Sequence, residues 1–222
     1  MKTLIYGMQS SGASLFSYFM GQREDSFVII DLWDGELAPF IDLKCDVILK
    51  CVIATKFSLE DHKKSYCPDM TILFLRNPCH NLVSLKSKPW GAESRNKFKL
   101  LEKYFLEKDK FDAIVRYEDL VLRPLEVIRQ LDKNGFNVDE SFLDFRRNLQ
   151  DMRRFNHEYF PSYCWNNRRY AHNGKYGTGK LHIRSGDVLK KKYINKKVSK
   201  EDKQNVINWC PSVCSFYGVS ND

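Results

Sequence analysis

At 222 residues, with 43% apolar and 14% aromatic side chains, the chain is long enough for a full hydrophobic core and is not the polar polymer of a disordered protein. No apolar run approaches the ~20 residues of a membrane span, and seven cysteines without a CxxC pair exclude a disulfide framework or a zinc ribbon. The net charge of +8 sits entirely in residues 151–222, which hold 14 basic and six acidic side chains. Such a field favours an anionic ligand, although the run from Lys190 to Lys203 reads as a solvated basic surface.

In chain order, Leu4-Ile5-Tyr6 reads as a strand, Gly7 to Gly12 as a small-residue turn, and the spacing of Leu15, Phe16, Tyr18 and Phe19 as a helix. Further short apolar runs follow at Phe27–Ile30, Asp46–Ile53, Met70–Leu75 and Phe111–Tyr117, the pattern of strands buried on both faces of a parallel sheet. Helices are expected over 79–88, 94–108 and 126–133, the last closed by Asn134-Gly135. Residues 150–186, rich in Arg, Asn, Tyr and Gly, read as an irregular lid or binding region, and a final helix is expected over about 200–217. Strands alternating with helices predict an α/β fold, one domain over 1–222 with a mainly parallel sheet flanked by helices. Ligands of such sheets bind beyond the C-terminal strand ends, which places Gly7–Ser14, Asp31–Asp34, Lys50 and Arg76 on one rim. The N-terminus enters a strand by Leu4, so no signal peptide is expected and the cytoplasm is the expected location.

The first turn has the form of a phosphate loop, G-x-x-x-x-G-Ala-Ser, in which Ala13 takes the place of the usual lysine. Small residues let backbone N–H groups converge on an anion, and the following helix N-terminus adds partial positive charge. Arg76 follows the fourth strand directly and Ser84 lies eight residues on, a guanidinium and a hydroxyl suited to a second phosphate.

Taken together, these segments resemble the sulfotransferase family. Gly7–Ser14 is similar to its 5′-phosphosulfate loop, and Leu75-Arg76-Asn77-Pro78 through Ser84 to its 3′-phosphate segment. Arg116-Tyr117-Glu118-Asp119-Leu120 with Pro124 resembles its Arg-Tyr-Glu-Asp-Leu element, Arg184-Ser185-Gly186 its Arg-x-Gly element, and Phe216-Tyr217-Gly218 its closing helix. The resemblance spans the chain. It implies a P-loop-like architecture and in-line transfer of a sulfuryl group from PAPS (3′-phosphoadenosine 5′-phosphosulfate) to a hydroxyl or amine, leaving PAP, with no metal required. By carry-over, Ser10, Ser11, Gly12, Ala13 and Ser14 cradle the 5′-phosphosulfate, Ser11 and Gly12 chiefly through backbone. Arg76, Ser84 and Arg184 hold the 3′-phosphate, with Ser185 and Gly186 giving close backbone approach.

Two departures stand out. Ser10 occupies a position where the family carries Lys or Arg, and Val52 occupies that of the family's histidine base. Lys50, at the end of the third strand, is the candidate substitute cation or else a lysine snorkelling from a strand end; Asp31 and Asp34 are candidate bases or else turn residues. His62, in the charged stretch Glu60–Lys64, is expected to be exposed, and His80 to start a helix. Trp90, Tyr159, Phe160, Tyr163 and Trp165 are pocket or packing residues, and Arg168, Arg169 and Lys175 would meet an anionic acceptor such as a glycan. The expected partner is a small-molecule or glycan acceptor, not a nucleic acid or a membrane. A PAP/PAPS-binding protein without catalysis and a P-loop nucleotide kinase are the alternatives, the latter opposed by Ala13.

Overall fold

A computed structural model describes residues 1–32, 35–147, 151–152, 154, 158 and 196–220, without the side chains of Ile30, Asp31 and Trp90. Five strands form one all-parallel sheet: β1 (Lys2–Gly7), β2 (Phe27–Leu32), β3 (Val47–Val52), β4 (Met70–Leu75) and β5 (Ala113–Arg116), in the order β2-β3-β1-β4-β5. β1 is central because its run is apolar on both faces. Leu4 and Tyr6 enter one core layer, and Ile5 enters the other. The chain passes to one side of β1 for β2 and β3 and to the other for β4 and β5, so the direction of winding switches at the C-terminal end of β1.

Helices cover both faces. On one lie α1 (Ala13–Met20), α5 (Tyr117–Leu122) and α6 (Pro124–Lys133), with Phe16 stacked on Phe74 at 4.9 Å. On the other lie α2 (Leu59–Tyr66), α3 (Pro78–Lys86), α4 (Ser94–Leu106), α7 (Lys200–Trp209) and α8 (Pro211–Phe216). α7 packs on α3 and α4, and α8 packs on α4. Each fully buried Phe or Leu in these layers contributes roughly 1.5–3 kcal/mol, so the two layers together make the sheet a rigid support for its strand ends. Among the described residues no helix is long and apolar enough to cross a membrane.

The structure differs from the sequence expectation at several places. β5 ends at Arg116 and Tyr117 opens α5, so the expected strand Phe111–Tyr117 is shorter at both ends. The expected single helix over 200–217 breaks at Pro211, which has no N–H to continue α7 and instead takes the first position of α8. Cys210 therefore caps α8 rather than sharing a continuous helix with Cys214, and the Glu102 carboxylate accepts from the N–H groups of Ser212 and Val213. The expected lid at 150–186 lies almost wholly outside the described residues.

A further difference is His62, which is fully buried rather than exposed. Ser58 and Asp61 form a capping box that starts α2, and Leu59, His62 and Tyr66 make its inward face. Its Nδ1 accepts from the Ala38 N–H at 3.1 Å, so the proton sits on Nε2, which faces Thr55 Oγ1 at 3.4 Å. Burial lowers its pKa to about 4, against a weaker pull from Asp61. The unfolded chain takes up this proton near pH 6.5 and the folded chain only near 4, so the stabilisation is complete above 6.5 and is lost as pH falls through 4. Denaturant melts should show stability falling by at most ~3 kcal/mol between these values. His62→Leu should flatten this limb while lowering stability overall, because the Ala38 N–H loses its acceptor.

Candidate functional site

The loop between β1 and α1 is fixed from both ends. Gly7 closes β1 with its carbonyl accepting from Ile53 N–H at 3.1 Å, and a Cβ on Gly7 would lie 2.6 Å from that of Ala13. The Ser11 N–H donates to the Met8 carbonyl at 3.2 Å, and Ser11 Oγ accepts from the Ala13 N–H at 3.3 Å. Ser11 is thus buried and serves the turn itself, whereas Gln9, Ser10, Gly12 and Ser14 are partly open to solvent. Ser10 adopts the left-handed region at φ 61°, uncommon for a residue with a side chain, and Gly12 follows at φ 96° as the cap of α1 with no side-chain capping bond. The first N–H groups of α1 lack intrahelical acceptors by construction, and the helix dipole makes that end partly positive.

Two carbonyls of this loop are held by the neighbouring segment. Arg76 Nη1 donates to the Ser10 carbonyl at 2.9 Å, and Asn81 Nδ2 donates to the Gln9 carbonyl at 3.1 Å. Because C=O and N–H are antiparallel across a planar peptide, drawing the Gln9 carbonyl toward α3 directs the Ser10 N–H the other way. Arg76 is only 6% exposed and its guanidinium lies 4.7 Å from the centre of the Tyr117 ring, a cation–π contact of about 1–2 kcal/mol. Burial lowers its pKa, opposed by Tyr117, Glu118 and Tyr217. Tyr117 also fills the space beside Gly12, where a Cβ would meet its ring at 2.5 Å.

The turn that carries Arg76 is itself capped. Asn77 Oδ1 accepts from the N–H groups of Cys79 and His80, with Pro78 in the first helical position of α3, so His80 is a helix-start residue as expected. Ser84 is buried on α3. Positive charge gathers here: His80 is lowered by burial and then by Arg76 and Lys196, and Lys196 by burial and then by Arg76 and Lys88. Lys196 is partly buried, which separates it from the solvated run in which the sequence places it. Gln9 Oε1, His80 Nδ1 and Asn81 Oδ1 are buried without hydrogen-bond partners among the described residues. Gln9 Oε1 and Asn81 Oδ1 can only accept, so they call for a ligand donor such as an amino or hydroxyl group and not for anionic oxygen.

Lys50 lies opposite Ile5 in the β3–β1 register, on the α1 face of the sheet, 4% exposed. Its Nζ donates to Ser14 Oγ at 3.3 Å. Its ammonium therefore lies at the N-terminal end of α1, where it adds to the positive partial charge of the helix. The backbone of Asp31 lies at the end of β2; the Asp31 side chain, Asp34, Arg184, Ser185 and Gly186 lie outside the described residues, as do Tyr159, Phe160, Tyr163, Trp165, Arg168, Arg169 and Lys175. The loop, Lys50 and Arg76 are therefore brought together, and Ser84 lies buried further along α3. Sequence reasoning missed Asn81, Glu118 and Lys196 as contributors. The first two stand inside the quoted segments, and only their partners in space give them a role.

A scan against models of known protein families gives no match, and no curated protein matches the sequence.

Gly12→Ala forces both a positive φ and a clash with Tyr117, so it should destabilise the fold by at least ~2 kcal/mol, read as a lowered denaturant midpoint. Gly35→Ala, in open space and without a positive φ, should be close to neutral.

Proposed function

We propose that this protein is a sulfotransferase of P-loop-like architecture that binds PAPS and passes its sulfuryl group to a hydroxyl or amine of a small-molecule or glycan acceptor. The observation that carries the reading is the Arg76–Ser10 bond. The two segments assigned by resemblance to opposite ends of one nucleotide are neighbours at the ends of the adjacent strands β1 and β4. The residues fit the group: the glycine cap beside Tyr117 and the cationic cluster around Arg76 suit a polyanion, and the Gln9 and Asn81 side-chain oxygens, which only accept, suit the hydrogen-bond donors of a nucleotide's base and ribose.

PAPS supplies an activated sulfuryl group whose departure leaves negative charge on the 5′-phosphate. In this reading the N–H groups that open α1 and the Ser14 hydroxyl bind that phosphate. Arg76 and Ser84, joined by Arg184, hold the 3′-phosphate. Lys50, through its contact with Ser14, supplies the positive charge that Ser10 lacks. Asp31 or Asp34 takes the acceptor's proton.

A second reading, a PAP- or PAPS-binding protein without transfer, is favoured by Ser10 itself. Its carbonyl is committed to Arg76, and its side chain brings no charge to the loop. A nucleotide kinase is disfavoured because Ala13, at the position of the Walker lysine, is buried and carries no cation.

Thermal melts in parallel with PAP and with ATP–Mg²⁺ test the binding. PAP at about 100 times its Kd should stabilise by ~2.7 kcal/mol and raise Tm by several degrees. Stabilisation by ATP–Mg²⁺ and not by PAP would reject the reading. Lys50→Ala should cut sulfuryl transfer by roughly 10²-fold with PAP binding changed far less. Unchanged turnover removes Lys50 from its role, and PAP binding by the wild type with no transfer to any acceptor selects the binding protein.

A further inference from the structure

We propose that Glu118 is a positioning residue that presents Arg76 to the 3′-phosphate of the bound nucleotide and so sets the preference for nucleotides carrying that phosphate; the inference rests on the reading above. Glu118 Oε1 accepts from the backbone N–H of Asn77 at 3.0 Å, across 41 positions of sequence. That N–H belongs to the peptide joining Arg76 to Asn77, the one link between the end of β4 and the start of α3. The start of α3 is already held by the Asn77 side chain and Pro78. What Glu118 adds is the orientation of the Arg76–Asn77 peptide, and with it the direction in which the guanidinium leaves the strand.

Glu118 is held in turn by its neighbours. It lies in the first turn of α5, between Tyr117, whose ring carries the Arg76 guanidinium, and Asp119, which pairs with Arg116. The Arg116 guanidinium lies over the Phe216 and Tyr217 rings at 5.6 and 5.9 Å, tying α5 to the end of α8. The Tyr217 phenol is pushed up by burial and then by the Glu118 carboxylate beside it. Glu118 Oε2 and the Tyr217 hydroxyl are buried beside each other, an acceptor and a donor with no other partner in range among the described residues. A carboxylate touching a phosphate would repel it. Here the Oε1 oxygen is turned to the peptide N–H of Asn77, where it fixes the peptide that carries the arginine. Backbone acceptance needs an oxygen and not a charge, so glutamine at this position should keep the function.

The test is titration calorimetry of the wild type, Glu118→Ala and Glu118→Gln with PAP and with AMP, which lacks the 3′-phosphate. Glu118→Ala should weaken PAP about tenfold, the size of one ordinary hydrogen bond, with the AMP affinity held within about twofold. Glu118→Gln should restore PAP affinity to within about threefold of wild type. Equal loss for both nucleotides would mark a purely structural role and overturn the inference, as would unchanged PAP affinity in Glu118→Ala or no rescue by glutamine. Failure of the wild type to bind PAP would overturn the reading beneath it as well, and is told apart by that control. Should Glu118→Ala not fold, Glu118→Asp, which withdraws the carboxylate by one methylene, gives the same contrast.

Discussion

The site turns on one buried guanidinium. Arg76 leaves the end of β4 and donates to the Ser10 carbonyl, and its flat face rests on Tyr117. A charge-assisted bond to backbone is worth about 1.5–3 kcal/mol net, and a desolvated stack about as much again. Burying an arginine to 6% exposure costs more than a surface position would, so its neighbours must hold it in place. They are drawn from four different elements: the loop after β1, the start of α3, the first turn of α5, and α8 through Tyr217.

This arrangement explains why the Arg-Tyr-Glu-Asp-Leu segment is shaped as it is. Each of its first four residues faces a different neighbour: Arg116 the rings of α8, Tyr117 the guanidinium and Gly12, Glu118 the Asn77 peptide, Asp119 the two arginines Arg116 and Arg123. Alternation along β5 sends Ala113 and Val115 to the α1 face, and Tyr117 opens α5 in the same layer. Lys50 follows the same logic on the other side of β1, where alternation in β3 sends it to the α1 face with Ile48 while Leu49 and Cys51 enter the opposite layer.

Much of the frame was legible in the chain. The apolar runs marked five strands, the Gly-Ser turn marked the loop, and Arg76-Asn77-Pro78 marked a strand end running into a helix. Charge-rich α2 was not legible by hydrophobic periodicity, since only Leu59, His62 and Tyr66 face inward. Its capping box at Ser58 and Asp61 was the available signal. The roles of Asn81 and Glu118 were hidden for a different reason: each bonds to a backbone group 41 or more positions away, and no local pattern encodes such a partner.

The sequence by itself determined the alternation of strand and helix, the Gly-Ser turn of residues 7–14 and the basic excess of the last third, because periodicity, turn chemistry and composition are local properties. The tertiary structure decided which ends meet. The order β2-β3-β1-β4-β5 sets β1 beside β4, so that Arg76 reaches Ser10, and beside β3, so that Lys50 reaches Ser14. It also decided that His62 is buried and neutral and that Ser11 serves its own turn. Strand order is set by how both apolar faces of the sheet are covered, a property of the whole packed chain.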